Sequence, residues 1–279
     1  MASGKLILCA TPIGNLEDVT LRLLRVLGEA DVVACEDTRR TRKLLSHHGI
    51  QVARLVTYNE VNEQRKAPEL MQTIQRGSVV ALVSDAGMPG LSDPGYRLVR
   101  ACVEADLVVE VVPGPTAAIS ALALSGLPPA RFVFEGFLPR KKGDRLRRIR
   151  ELAHEPRTIV CYESPHRIGD ALADLNEVLG PRPAALAREL TKMHEEVRRG
   201  TLPELLEQAR VDPPRGEIAI VIGGALERDR DVDPESLARE ARVLMDAGLD
   251  RRAAMQEVAR SAGVPRRAVF DALIDTEKR

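Results

Sequence analysis

Tryptophan is absent from the 279 residues, and aromatic side chains make up only 3% of them. A surface that recognises bases mainly by stacking them on rings needs more than that. No GxGxxG follows the first apolar run and no GxxxxGKS or GxxxxGKT occurs, so neither the dinucleotide fingerprint nor the P-loop is available. The four cysteines, Cys9, Cys35, Cys102 and Cys161, have neither CxxC nor His-paired spacing. They read as reduced core residues of a cytosolic protein, and no metal site is expected. No apolar stretch approaches the roughly eighteen residues of a membrane helix, and the N-terminus lacks a signal-peptide pattern. The expectation is a soluble, cytoplasmic protein with no membrane partner. Net charge is missing too, with 41 basic against 41 acidic residues, so any nucleic-acid contact must come from local clustering.

What is present is ordinary globular content, 44% apolar, in an alternating pattern. Strand-like runs at Leu6–Ala10, Val32–Cys35, Leu55–Val56, Val79–Val83 and Val108–Val112 are separated by amphipathic segments such as Val19–Leu27 and Pro68–Gln75. That is β-α-β alternation, hence a mostly parallel sheet with helices on both faces. After Ser125-Gly-Leu-Pro-Pro129 a second set begins, at Phe132–Phe137, Ile159–Tyr162, Ala184–Arg188 and Ile218–Ile222. The charged stretch 227–234 reads as a connector. The expected fold is α/β with three parts: an N-terminal α/β domain (1-125), a second mixed α/β domain (126-227) and a small C-terminal helical domain (228-279). Within the last, Val258 to Pro265 suggests helix, turn and helix, a helix-turn-helix or a small packing bundle.

The most informative loop is Ser84-Asp-Ala-Gly-Met-Pro-Gly-Leu-Ser-Asp-Pro-Gly95, directly after an apolar run. It reads as the carboxyl end of a buried parallel strand, where open α/β sheets bind ligands. Thr11-Pro-Ile-Gly-Asn15 and Pro113-Gly-Pro-Thr-Ala-Ala118 end two further strands at the same edge. Thr116 and Ala117 would open a helix with backbone donors free for a ligand. Glu36-Asp-Thr-Arg-Arg40 follows the second strand, and its Asp37 is either a helix cap or a substrate-facing acid. Tyr162-Glu-Ser-Pro-His-Arg167 gathers an acid, an imidazole and a guanidinium, while Ala187 to Glu196 is too densely charged for a buried strand. The run Arg140 to Arg150 sets seven cations against one acid and suits phosphate contact through Arg140, Lys141, Lys142, Arg145, Arg147 and Arg148, with Arg39, Arg40 and Arg167 nearer the crevice.

In this order, TPIGN, CEDTRRT, SDAGMPGLSDPG, PGPTAA, FEGFLPRK, YESPHR, ARELTKMHEE and GEIAIVIGG resemble the ribosomal small subunit methyltransferase I family, a branch of the tetrapyrrole methylases, from about Leu6 to Gly224. The resemblance implies S-adenosylmethionine-dependent methylation of the 2′-hydroxyl of a cytidine in the decoding region of 16S rRNA, by a homodimer acting on the small ribosomal subunit. It further implies a donor folded into a cleft between two domains. By position, Pro12, Asp85, Gly87, Met88, Thr116 and Ala117 match donor-binding positions, and Leu190 and Ile218 fall where the superfamily packs the adenine. The central loop departs from the family's SDAGTPLISDPG at Met88, Gly90 and Leu91, which leaves a backbone contact at position 88. Asp85 is then the donor-site carboxylate and Asp93 the cap of the following helix.

Sulfonium methyl transfer is an in-line displacement, so the protein must align, deprotonate and hold. Glu36, His166, Glu189 and Lys192 are the candidate catalytic bases, with Asp37, Arg39, Glu163 and Arg167 as orienting or phosphate-binding partners. Two other classes stay open: a tetrapyrrole C-methyltransferase, which needs a large apolar trough, and a small-molecule sensor feeding a nucleic-acid-binding helical tail.

Overall fold

The computed structural model describes residues 4–225, 233–262, 264 and 266–277. One compact unit ends at Gly224 and another begins at Ala225. The first unit opens with five parallel strands, β1 (Lys5–Cys9), β2 (Val32–Cys35), β3 (Leu55–Thr57), β4 (Val79–Val83) and β5 (Val108–Val112), in the order β3-β2-β4-β1-β5. Side chains alternate across this sheet into two cores. Ile7, Cys9, Val33, Ala81 and Val83 pack against α1 (Leu21–Glu29) and α2 (Thr38–His47). Leu6, Val32, Ala34, Val80 and Leu82 pack against α3 (Glu63–Gln75) and α4 (Tyr96–Glu104) on the other face. Burial on both faces is why β2 and β4 read as unbroken apolar runs.

Helix α3 starts five residues before the expected Pro68. Asn59 and Asn62 exchange side-chain-to-backbone hydrogen bonds of 3.0 and 3.1 Å ahead of it, a turn that launches the helix upstream of the proline.

The second sheet holds β6 (Phe132–Phe137), β7 (Thr158–Glu163), β8 (Pro183–Arg188), β9 (Glu196–Thr201) and β10 (Ile218–Ile222), in the order β6-β7-β10-β8-β9. Only β6 and β7 run parallel. One face is covered by α6 (Lys142–Glu151), α7 (Ile168–Leu179) and α8 (Leu202–Val211). The other packs on Ile13 and on Ala118, Ala121 and Leu122 of α5 (Ala117–Ser125), the helix that leaves β5. That shared core makes the two sheets one unit. Strand β9 begins at Glu196, the last residue of the stretch too densely charged for a buried strand, and is not among the expected strands. It is a half-buried edge strand, and its Glu196 bonds Arg188 at 2.5 Å and Arg198 at 2.9 Å, so the charges pair along the edge.

The second unit contains α9 (Pro234–Asp246), α10 (Arg251–Ala262) and α11 (Arg266–Glu277) around Leu237, Ala241, Val258, Val269 and Leu273. Asp233 caps α9 by accepting from the Glu235 amide at 3.1 Å. Residues 226–232, which hold most of the expected connector and the expected break at 227/228, lie outside the described residues, as do Gly263 and Pro265 of the expected turn.

Candidate functional site

All five strands of the first sheet are parallel, so the loops after β1, β2, β4 and β5 emerge at one edge. Two of them are stitched together: Thr11 and Gly87 exchange backbone hydrogen bonds of 2.9 and 3.1 Å, and the Thr11 hydroxyl donates to the Ser84 carbonyl at 3.2 Å. Gly87 has φ +83, a left-handed conformation that an L side chain resists.

The second sheet meets this edge with the ends of β7 and β8 and, because β10 is antiparallel to both, with the start of β10. Ala219 is in register with Tyr162 on one side and Ala187 on the other, so a cross-strand row of one ring and two methyl groups leaves space above the sheet. The space is a cavity of about 280 Å³. Its walls are the loop Ala86–Asp93 without its two residues 89 and 90, the start of α5, Tyr162–Pro165, Leu190 and Gly216–Ala219. Tyr162 is wedged against Phe134 and Phe137, with ring centroids 5.1 and 5.5 Å away, and its hydroxyl accepts from the Ala118 amide at 3.0 Å. One of the free donors expected at that helix start is therefore already engaged by the protein.

A second chamber of about 260 Å³ adjoins the first, and Ile13, Ala86 and Glu217 line both. Its other walls include Thr11, Pro12, Arg40, Lys43, Asp85 and Lys192. Asp85 accepts from the Asp37 amide at 3.0 Å and faces Arg40 Nε at 3.4 Å, while burial pushes its carboxyl up. Lys192 donates to Glu189 at 2.8 Å and Glu217 at 3.0 Å. Burial works against its charge, but those two bonds outweigh it and raise its pKa. The turn that presents it is strained, with Glu189 at φ +50 and Thr191 at φ +67, and it is held by the Asn15 amide donating to the Thr191 hydroxyl at 3.0 Å.

The expected donor-binding residues thus divide between the two spaces. Gly87, Met88, Thr116, Ala117, Leu190 and Ile218 line the first cavity, and Pro12 and Asp85 the second. Of the four candidate bases, none lines the first cavity. Glu36 is half-buried, its carboxyl pushed up by burial and then by Asp85. His166 is exposed. Glu189 is tied to Lys192 and to the Glu217 amide at 3.0 Å. Lys192, protonated and donating twice, is a standing cation and not a base.

Asp93 corrects the expectation that it caps a helix. The cap position of α4 is Gly95, two residues on, and no side chain bonds the first amides. Asp93 lines the first cavity instead. Burial, then the charges of Glu36 and Asp85, push its carboxyl up to about 7. Asp37, by contrast, does cap α2, accepting from the Arg39 amide at 2.8 Å. Its bonds to the Arg39 side chain hold its carboxyl down at about 2.

The basic run is not one surface. Arg140, Lys141, Lys142, Arg147 and Arg148 are exposed, although Arg147 pairs with Asp144, and Arg148 with Glu135 and Glu151. Arg145 is a correction. Its side chain is 4% exposed and bonds the equally buried Asp174 at 2.7 Å, because it shares a helix face with the fully buried Ile149. It cannot reach a phosphate from there. Arg167 likewise turns inward, to Glu163 at 2.6 Å and the Leu138 carbonyl at 3.0 Å.

The sequence matches the tetrapyrrole (corrin/porphyrin) methylases over residues 5–206. The chain belongs to that family. Among its relatives, the ribosomal RNA small subunit methyltransferase I of Synechocystis sp. is 45% identical over 276 residues, 98% of this chain and 99% of its own. The protein of that name from Thermotoga maritima is 47% identical over 221 residues, 79% of this chain and 99% of its own. Uroporphyrin-III C-methyl transferase from Thermus thermophilus, solved in complex with S-adenyl homocysteine, shares the fold with a TM-score of 0.56 at 22% identity, over 78% of this chain and 96% of that one. Sequence reasoning missed several residues of the cavity, among them Asp93, Tyr162 and Glu217. Glu217 directly precedes the run Ile218–Ile222, but only the antiparallel insertion of β10 brings it to the site.

Proposed function

We propose that the chain is an S-adenosylmethionine-dependent rRNA methyltransferase that modifies the 2′-hydroxyl of a cytidine in the decoding region of 16S rRNA, in the cytoplasm. One observation carries the reading: a largely apolar cavity opens beside a cation-lined chamber across a wall of three residues, in a chain whose near-full-length relatives are named for methylation of small-subunit rRNA. The cavity's Ala187, Leu190, Ile218 and Ala219 suit an adenine, and the amides at the start of α5 suit a carboxylate.

When bound, the sulfonium donor supplies an electrophilic methyl group. The protein's part is to hold the ribose hydroxyl in line and take its proton. Asp93 has the position and basicity for the proton, since it lines the cavity and its carboxyl lies near 7, where a general base is most effective at neutral pH. Glu36, behind it, acts by raising that basicity. Arg39, Arg40 and the exposed part of the basic run, Arg140, Lys141, Lys142, Arg147 and Arg148, supply phosphate contacts. The Thermotoga relative, matching 79% of this chain over 99% of its own length, supports a first unit sufficient for the chemistry.

A homodimer is part of the reading. Strand β5 is a sheet edge, and its Val108 and Val111 are 46% and 49% exposed.

The test is to map 2′-O-methylation on 16S rRNA from cells with and without this protein. A decoding-region cytidine should lose its methyl group in the deletion and regain it on complementation, including by a chain ending at Gly224. An unchanged map, with labelled methyl groups appearing in precorrin instead, would replace rRNA by a tetrapyrrole as substrate.

A further inference from the structure

The geometry points to the second chamber as the seat of a phosphodiester of the acceptor strand, adjacent to the nucleotide whose sugar enters the first cavity. This rests on the rRNA-methyltransferase reading and adds to it where the strand is gripped. Arg40 and Lys43 stand three residues apart on α2, so both reach the chamber from one helix face. Lys192 reaches it from the opposite wall, on the turn between β8 and β9. Three cations therefore converge on a space lined by two acids, Asp85 and Glu217. Both acids are already engaged, Asp85 by Arg40 and the Asp37 amide, Glu217 by Lys192. Lys43 has no ion pair among the described residues, so its ammonium is free to meet an anion, although Glu189 and Glu217 together on Lys192 leave the cluster as a whole without net positive charge.

The Lys192 arm is built into the fold. Gly14 does not have a positive φ, so it is not glycine for its backbone conformation; a Cβ placed there would stand 2.4 Å from Lys192 Cγ and 2.9 Å from the Thr191 hydroxyl. Its missing side chain is the slot through which the lysine stem runs. An ammonium has three hydrogens, and Glu189 and Glu217 take two. The third is available to a ligand oxygen.

The position argues for the acceptor strand. The chambers share Ile13, Ala86 and Glu217, so what occupies one lies a side chain away from what occupies the other. In RNA the 2′-hydroxyl is linked through the same sugar to the 3′-phosphodiester, and a site that methylates the first must accommodate the second. The competing occupant is the carboxylate of the donor's amino acid, for which the start of α5 offers a seat inside the first cavity.

The experiment measures three quantities on Lys43→Ala, Arg40→Ala and Gly14→Ala in the full chain, with Lys43→Arg as the rescue and Arg65→Ala, an exposed residue of α3, as the control. They are the Kd for S-adenosylhomocysteine, KM and kcat for unmodified small subunits, and the salt dependence of binding to a single-stranded oligoribonucleotide. Removing a phosphate contact should weaken RNA binding about ten-fold and flatten the slope of log K against log salt by about one. The nucleoside Kd should stay within two-fold, and Lys43→Arg should restore the slope. The inference is overturned if the slope is unchanged in Lys43→Ala and Arg40→Ala, or if the nucleoside Kd weakens in step with KM, which would seat the donor's carboxylate here. If the wild-type protein transfers no methyl group to rRNA the broader reading fails, while the oligoribonucleotide slope still decides the chamber.

Discussion

Replacing Asp93 by Asn removes a carboxyl that the fold holds at about 7 in place of its ordinary 3.8. Well below its ordinary 3.8 the group is protonated in the folded and unfolded chain alike, and the native state bears no cost. As pH rises toward 7 the unfolded carboxyl ionises freely, whereas the folded one must keep its proton or bury a charge beside Glu36 and Asp85. The stability conferred by the protonated form is thus fully present below 3.8, falls as pH rises from there, and is gone once pH has passed about 7. At about 1.4 kcal/mol for each pH unit, the displacement from 3.8 to about 7 sets a ceiling of ~4 kcal/mol. The side chain is only partly buried, and solvent screening reduces this to about 1–2 kcal/mol. For a unit of this size that is roughly 2–8 °C in Tm. Thermal unfolding of both proteins from pH 4 to pH 8.5, at constant ionic strength, should show Asp93→Asn gaining on the wild type between pH 4 and 7 and then holding its lead. Methyl transfer should fall about 10²- to 10⁴-fold, and the limb of the pH–rate profile near 7 should vanish. A Tm difference independent of pH, or a wild type that gains with rising pH, would refute the argument.

Arg145→Ala should cost about 3–5 kcal/mol, because the buried Asp174 would keep only the exposed Lys142 at 3.8 Å as a partner. Urea unfolding measures this, and Arg145→Met with Asp174→Leu should recover most of it; a loss no larger than that of the exposed Arg147→Ala would contradict the burial argument. Tyr162→Phe leaves the Ala118 amide without its acceptor at the mouth of the cavity. That change should lower stability by about 1 kcal/mol and weaken nucleoside binding several-fold by calorimetry, while an unchanged Kd would mean that the hydroxyl does not order the start of α5.

Much of this fold was legible because buried strands are apolar throughout. β2, β4 and β10 occupy the residues that their unbroken runs of Val, Ile, Leu, Ala and Cys mark out, whereas β5 and β6 are largely apolar runs broken by a glutamate. β9 escaped because its Glu196 pairs with Arg198 on the same strand and with Arg188 of β8 along an edge, a pattern that composition alone cannot separate from a loop. At the site, the glycine of the β4 loop and the opening of α5 were readable from local chemistry. Asp93 was not: Asp-Pro-Gly before a helix looks like a cap, and only the chain path shows that Pro94 and Gly95 carry the carboxylate out of reach of the helix amides. Arg145 was readable in principle, since its spacing of four from Ile149 puts both on one face, but the density of charge around it hid that signal. Gly216, Glu217 and Ala219 depended on strand direction, which local sequence does not encode, and Ile218 came only from the family resemblance.

Strand β10 is fully buried at the centre of the second sheet, yet it is the last of that sheet's strands to be synthesised. The first sheet has all its strands once Val112 has left the ribosome. The second cannot close until Ile222 has emerged, and until then β7 and β8 each present an unpaired edge to the other across the width of a missing strand. Glu217, Ile218 and Ala219 arrive with the same strand, so completing the sheet and completing the cavity are one late event. A nascent chain of this protein therefore spends about the last half of the first unit's synthesis as a folded sheet trailing an open one, the state most exposed to mispairing and most in need of chaperone cover.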